Sequence, residues 1–266
     1  MVDRFRKSLF AVILAGFMLL PAYASAEYVA ATWSDNMVHL LDNSLNNVSS
    51  FSLGSTSPNG IATNGTLIYV GFFSTQEVIA YDFSGVEQFR WSGTLNGLQG
   101  MELVNGDLAI YQNSTVEFHN PTTGALLRTI PGQTSIEGLA YDGTNLWQLD
   151  DSLIYAANPA DGAVIRSIPN AAASCSYGGT GMTSSGPNEL TLACDDGTWY
   201  RVSTVDGSVI STGSNGLSMY GLKYYTLAPA PAPAPVPTMS EWGLVAFMIL
   251  AGAAAVYALR RRSAGI

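Results

Sequence analysis

Between residues 27 and 227 the chain alternates short apolar or aromatic runs with clusters of Gly, Asn, Asp, Ser and Thr. The runs, such as 66–73 and 145–149, have strand length, and the clusters between them have turn composition. The pattern also repeats. A glycine returns at Gly60, Gly100, Gly138, Gly181 and Gly221, a period of about 40 residues. Each is followed by a large apolar residue: Ile61, Met101, Leu139, Met182 and Leu222. In four repeats a first turn follows, at Asn64-Gly65, Asn105-Gly106, Asp142-Gly143 and Ser185-Gly186. A second turn lies at Ser84-Gly85, Thr123-Gly124, Asp161-Gly162 and Asp206-Gly207, and a short last strand ends each unit, as at 125–130 and 163–168. Four strands per unit, with glycine turns between them, are the pattern of a β-propeller blade. A β-sandwich also uses short strands at this spacing, but it does not require equal repeats.

The ends of this region complement each other. Residues 28–33 read as the second strand of a blade, with third and fourth strands at 37–41 and 47–53 and no first strand before them. Gly221-Leu222-Lys223-Tyr224-Tyr225 reads as a first strand with nothing after it. Together the fragments make one blade, and the closure removes two open sheet edges. The predicted fold is therefore all-β, a five-bladed β-propeller over residues 27–227 closed by its own termini.

Two apolar runs flank the repeats. Arg4, Arg6 and Lys7 precede Leu9–Leu20, and Ala24-Ser25-Ala26 is a small-residue cleavage pattern. Residues 1–26 thus read as a secretory signal peptide, with an uncleaved anchor as the alternative. At the other end Ala228–Pro237 is a stiff Pro/Ala linker. The run Leu244–Leu259 precedes Arg260-Arg261-Arg262. Counted from Trp242, it makes about 27 Å of helix at 1.5 Å per residue, close to the thickness of a bilayer's hydrocarbon core. The arginines predict a cytoplasmic tail with the body outside.

Just before this run stands Val236-Pro237-Thr238-Met239-Ser240-Glu241-Trp242-Gly243. It resembles the IPTL-CTERM sorting signal of Gram-negative bacteria, Ile-Pro-Thr-Leu-Ser-Glu-Trp-Gly followed by a transmembrane helix and an arginine cluster. Pro237, Thr238, Ser240, Glu241, Trp242 and Gly243 match, while Val236 and Met239 replace the Ile and the Leu. The resemblance covers residues 236–266 only. It implies that an exosortase-type transpeptidase processes the tail, after transient anchoring in the inner membrane, and that the body ends at the cell surface or in an extracellular matrix. It implies nothing about what the body does. The body resembles the NHL and YVTN-like propellers of secreted bacterial proteins in architecture alone, and the Gly-His and Trp-Asp pairs of WD40 blades are absent.

Charge narrows the partners. The whole chain carries 11 basic and 20 acidic residues, a formal net charge of −9. The basic residues crowd the two ends, leaving only Arg90, Arg128, Arg166, Arg201 and Lys223 in the repeats. Such a body does not bind nucleic acid, which demands Lys and Arg for its phosphates, and it favours cations or basic partners.

The residues preceding the repeat glycines, Asn59, Gln99, Glu137, Thr180 and Tyr220, are predicted to ring the channel mouth on what we term the upper face. The loops between second and third strands share that face and carry Asp35, Glu77, Asp150, Asp151, Asp195 and Asp196. The plain reading is a solvated acidic rim; the sharper one is a ligand site, for an exopolysaccharide or a basic surface protein. No Asp-x-Asp-x-Asp-Gly loop appears, so no dedicated metal or cofactor is expected. Cys175 precedes the first strand of the last complete blade and Cys194 closes its second, which predicts a Cys175–Cys194 disulfide worth about 3 kcal/mol by loop entropy.

Catalysis finds little support in the residues. His39 and His119 fall on third strands of different blades, where they read as packing or surface groups. No nucleophile elbow, zinc helix or phosphate loop is present. Arg90, Arg128 and Arg166 recur on outer strands and read as solvated; Trp33, Trp91, Trp147, Trp199, Tyr220, Tyr224 and Tyr225 read mostly as contacts between blades, a few of them free to stack on sugars. The expectation is a surface-exported binding module and not an enzyme. The alternatives are a lyase or hydrolase with its site near Glu137, and a structural matrix protein without a ligand.

Overall fold

Twenty short strands form five separate four-stranded antiparallel sheets in the computed structural model of the chain, which describes residues 27–93, 95, 97–225 and 248. Blade 1 holds β1 (Tyr28–Thr32), β2 (Met37–Leu41) and β3 (Asn47–Ser52). Blade 2 holds β4 (Pro58–Thr63), β5 (Leu67–Phe72), β6 (Glu77–Asp82) and β7 (Glu87–Ser92). Blade 3 holds β8 (Met101–Val104), β9 (Asp107–Gln112), β10 (Thr115–His119) and β11 (Leu126–Pro131). Blade 4 holds β12 (Gly138–Tyr141), β13 (Leu146–Leu149), β14 (Leu153–Ala157) and β15 (Val164–Pro169). Blade 5 holds β16 (Gly181–Gly186), β17 (Glu189–Ala193), β18 (Thr198–Ser203) and β19 (Val209–Ser214). The last strand, β20 (Met219–Tyr224), returns to pair with β1 and completes blade 1, in the order β20-β1-β2-β3. Its register runs from Tyr28 opposite Tyr224 to Ala31 opposite Gly221. The expected closure is observed.

Burial falls from the axis outward. β1 is buried at every position, whereas the outer strands β3, β7, β11, β15 and β19 are largely exposed. An outer strand faces solvent with an unpaired edge, and short length limits what that edge offers to other chains. Strands β11, β15 and β19 each open with two exposed apolar residues, Leu126 and Leu127, Val164 and Ile165, and Val209 and Ile210.

The repeat glycines explain the ring. Each lies where an inner strand meets the next blade's inner strand near the axis. A Cβ would stand 2.7 Å from the Gln99 carbonyl if built on Gly60, 2.8 Å from Leu139 N on Gly100, and 3.1 Å from Met182 N on Gly138. On Gly181 it would stand 2.9 Å from Leu222 N, and on Gly221 3.2 Å from Ile61 N. The approach to backbone is under 3.0 Å at Gly60, Gly100 and Gly181, and 3.1 and 3.2 Å at Gly138 and Gly221, where the neighbour would have to give slightly, so the period in the sequence is the imprint of a steric limit.

Below this ring the axis is plugged. Lys223, on β20, is buried and donates to Glu102 at 3.1 Å, to the Met182 carbonyl at 2.7 Å and to the Leu139 carbonyl. One ammonium group thereby ties the closing strand to blades 3, 4 and 5. Burial raises the pKa of Glu102 and lowers that of Lys223, while their mutual attraction opposes both shifts.

Arg90 and Arg166 are exposed, as expected of outer strands, and Arg128 is half-buried. What the repeats did not foretell is that outer arginines also reach across to the next blade. Arg128 lies 3.4 Å over the ring of Phe118 and donates to the Pro159 carbonyl of the next blade at 2.7 Å. Arg166 lies 5.1 Å from the Trp147 ring and donates to Val205 O at 3.3 Å. Arg201 donates to the Asn43 carbonyl, closing the circle back to blade 1. Arg128, Arg166 and Arg201 are ties between blades, while Arg90 pairs with Glu87 and Glu77 of its own blade. Both histidines pack as expected: His39 and His119 are buried on third strands, and His119 stacks on Trp91.

The chain divides into two compact units, Met1–Thr226 and Leu227–Ile266. The signal peptide expected at 1–26, the linker at 228–237, the sorting signal at 236–266 and the apolar helix at 244–259 lie outside the described residues, Met248 excepted. Among the described residues no helix is long and apolar enough to cross a membrane.

Candidate functional site

The loops that enter each blade share the upper face with the loops joining second and third strands, because neighbouring strands run antiparallel. Where these loops meet the axis, a depression of about 430 Å³ opens, lined by Trp33, Asn59, Phe73, Gln99, Glu137, Tyr177 and Tyr220. It narrows at the glycine ring to about 10 Å³, room for roughly one water.

Four of the five residues expected at the mouth line this depression: Asn59, Gln99, Glu137 and Tyr220. Thr180 does not. It is buried, its hydroxyl donates to the Met219 carbonyl, and it lines only the constriction. The polar floor is partly organised. Asn59 Nδ2 donates to Leu98 O at 2.8 Å, and Gln99 Nε2 donates to Glu137 Oε1 at 2.9 Å. Glu137 accepts a side-chain hydrogen bond from Gln99 alone among the described residues. Burial, and then the negative charge of Asp151, push its pKa up to about 7. Tyr220 is also raised, chiefly by burial and then by Asp195.

One wall is aromatic. The Trp33 ring lies 5.3 Å from Tyr220 and 6.3 Å from Phe73. Trp33 ends the run expected as a strand, but β1 stops at Thr32 and the indole turns to the mouth. Phe73 was not expected here, although it holds the same place after β5 that Trp33 holds after β1. The equivalent residues in the other blades are Asn113, Asp150 and Cys194, so the aromatic wall exists on one side only.

Tyr177 faces this wall from an insertion that no repeat foretells. It is 62% exposed and adopts a left-handed backbone (φ 59°), rare for a side chain of this size. The segment that carries it is held from three sides. The predicted disulfide joins Cys175 to Cys194. Asn170 Nδ2 donates to Asp150 O at 2.8 Å and to Gly178 O at 2.6 Å. Gly178, at φ 66°, leaves room for Asp151, whose Cα would stand 2.3 Å from a Cβ there.

The six acids of the face divide. Asp35 accepts from Thr32 and meets His39 at 3.2 Å, and Glu77 meets Arg90 at 3.6 Å. Asp150 and Asp196 accept from backbone N–H groups of their own turns, at 3.4 and 2.8 Å. Asp151 and Asp195 are the two whose charge is felt at the mouth, by Glu137 and Tyr220. Among the described residues, no three His, Cys, Asp or Glu side chains converge as a metal site.

Comparison with known proteins adds two facts. The family model of the IPTL-CTERM motif matches residues 234–262, so the chain carries this motif at its C-terminal end. The motif implies processing by an exosortase-type system, export and sorting to the cell surface. The crystal structure of Myxococcus xanthus glutaminyl cyclase is similar at a TM-score of 0.54 and 17% identity, over 63% of this chain and 81% of that one. At that identity the likeness concerns the fold. The crystal structure of a protein of unknown function from Bacteroides caccae aligns at a TM-score of 0.46 and 14% identity, over 71% of this chain and 72% of that one. No curated protein matches the sequence.

Proposed function

We propose that this chain is exported through its N-terminal 1–26 segment, held in the inner membrane by its 244–259 segment, processed at its C-terminal motif and displayed at the cell surface. There its propeller binds a glycan of the surrounding matrix at the channel mouth. One observation carries the binding reading: an arc of aromatic rings, Trp33, Phe73 and Tyr220, stands beside the amide and carboxyl groups of Asn59, Gln99 and Glu137. A pyranose has the matching anatomy, with an apolar C–H face to lie on a ring and an edge of hydroxyls to exchange hydrogen bonds. The size supports it too, since about 430 Å³ falls within the usual range for small-molecule sites, roughly 300–1,000 Å³.

A glycan array probed with the full chain in mild detergent tests this reading. Retention of an oligosaccharide that Trp33→Ala loses supports it. Equal retention by the variant would move binding away from the mouth.

A second reading is acid–base catalysis at the same place. A carboxyl that titrates near 7 can both give and take a proton at neutral pH, and the protein of similar fold from Myxococcus xanthus is a glutaminyl cyclase. Incubation with a peptide beginning in glutamine, followed by mass spectrometry for loss of ammonia, tests the nearest activity. Turnover by the wild type that Glu137→Gln abolishes would favour the enzyme.

A further inference from the structure

We propose that the mouth selects a cationic amino sugar, a hexose unit carrying a free ammonium group, over a neutral sugar of the same shape. This rests on reading the mouth as a glycan site and names which glycan it takes.

The charge at the mouth is one-sided. Glu137 lies on its floor, Asp151 is close enough to disfavour ionisation of Glu137, and Asp195 acts in the same sense on Tyr220. None of the seven lining residues is basic. Nor is a cation free elsewhere in the body to answer these acids. The repeats hold five basic side chains; none lines the mouth, and each is committed to other partners. Arg90 is paired with Glu87 and Glu77 on an outer edge. Arg128, Arg166 and Arg201 donate to carbonyls of neighbouring blades. Lys223 is buried beneath the glycine ring against Glu102.

A half-buried carboxylate without a counter-charge is unfavourable, and a bound cation relieves it. The aromatic wall adds to the same preference, because the face of an indole or phenol ring attracts an ammonium group. Trp33, Tyr220 and Tyr177 therefore do two things for one ligand: they stack on its ring and stabilise its charge. A neutral sugar uses only the first. The narrow constriction below the mouth and the concave shape fit a sugar unit better than a folded basic protein, which needs a broad interface.

The test is calorimetric titration of the full chain in mild detergent, near pH 7 and at physiological salt. The ligands are a β-1,4-linked glucosamine hexamer and its fully N-acetylated counterpart. The free amine should bind at least about tenfold more tightly. Glu137→Gln should bring the two ligands to within about threefold of each other, and Asp151→Asn, on an exposed turn, should reduce the preference part-way. Trp33→Ala should weaken both ligands. Melting curves of each variant establish that it is folded. If both hexamers bind equally and Trp33→Ala weakens both, the charge inference is overturned while the glycan reading stands. If neither hexamer binds, the inference is overturned, and the glycan array decides the reading it rests on. If the preference survives in Glu137→Gln, or hexalysine competes as well as the glucosamine hexamer, the attraction belongs to the acidic body at large and the inference is overturned.

Discussion

The glycine ring and the upper mouth are built from adjacent residues at or just before the innermost strand of each blade, yet the ring is uniform and the mouth differs in every blade. Gly60, Gly100, Gly138, Gly181 and Gly221 all meet the next blade in the same close approach. One residue earlier, the chain presents Asn59, Gln99, Glu137, Thr180 and Tyr220. The difference shows where this fold leaves freedom. At the ring, sterics permit one residue type; at the mouth, water permits many, so the chain can place an amide, a carboxyl or a phenol there without disturbing the scaffold. The same holds just after the second strands, where Trp33 and Phe73 form a wall in two blades and Cys194 anchors a loop in a third.

That contrast can be broken from either side. The largest expected effect is at the ring. Gly100→Val sets a side chain against the backbone of Gly138 and Leu139, with a Cβ 2.8 Å from Leu139 N; overpacking against backbone should destabilise by about 3 kcal/mol or prevent folding. Urea unfolding followed by tryptophan fluorescence measures it, and a near-wild-type midpoint would refute the steric reading of the period. Next comes the axis. Lys223→Met strands Glu102 in the interior and should destabilise by about 3–5 kcal/mol, whereas Lys223→Met with Glu102→Met should return most of the loss. A double-mutant cycle in urea reads the pair directly.

The mouth should respond differently. Cys175→Ser with Cys194→Ser should cost about 3 kcal/mol of stability and, unlike the axis variants, should also weaken ligand binding, because Tyr177 loses one of its anchors. Thermal melting and titration on the same sample separate the two effects. The smallest change is Glu137→Gln. Folded Glu137 keeps its proton up to about pH 7, against an ordinary value of 4.5. Between those values the folded chain binds more protons than the unfolded one, so this residue makes stability fall as pH rises through that window. The glutamine variant should match the wild type near pH 4 and exceed it modestly near pH 8, a sign that pH-dependent melting can check.

Much of the scaffold was legible because its limits are local and repeated. A glycine every 40 residues or so, with a turn at a fixed distance after it, names a blade, and the orphan strands at 28–33 and 221–225 named the closure. The cystine followed once both cysteines fell on one edge of one blade. The ties of Arg128 and Arg166 were not read in advance because their partners, the carbonyls of Pro159 and Val205, belong to the next blade and leave no mark within a repeat. Thr180 was placed at the mouth by its position, but the Met219 carbonyl draws its hydroxyl inward. Phe73 was within reach, since it occupies the repeat position of Trp33. Tyr177 was not, because the segment from Asn170 to Thr180 follows no period and is shaped by contacts with Asp150 and Asp151. The position of Glu137 could be read in advance, but its burial, which sets its chemistry, is a property of the assembled ring.

Hydrogen–deuterium exchange of the full chain, with and without the glucosamine hexamer, tests most directly that the mouth works while the rest supports it. The expected result is new protection confined to the backbone around Trp33, Phe73, Gln99 and Glu137 and to the segment carrying Tyr177, with the outer strands unchanged. Protection on β11, β15 or β19, or around the lower turn at Asn64 and Gly65, would contradict it.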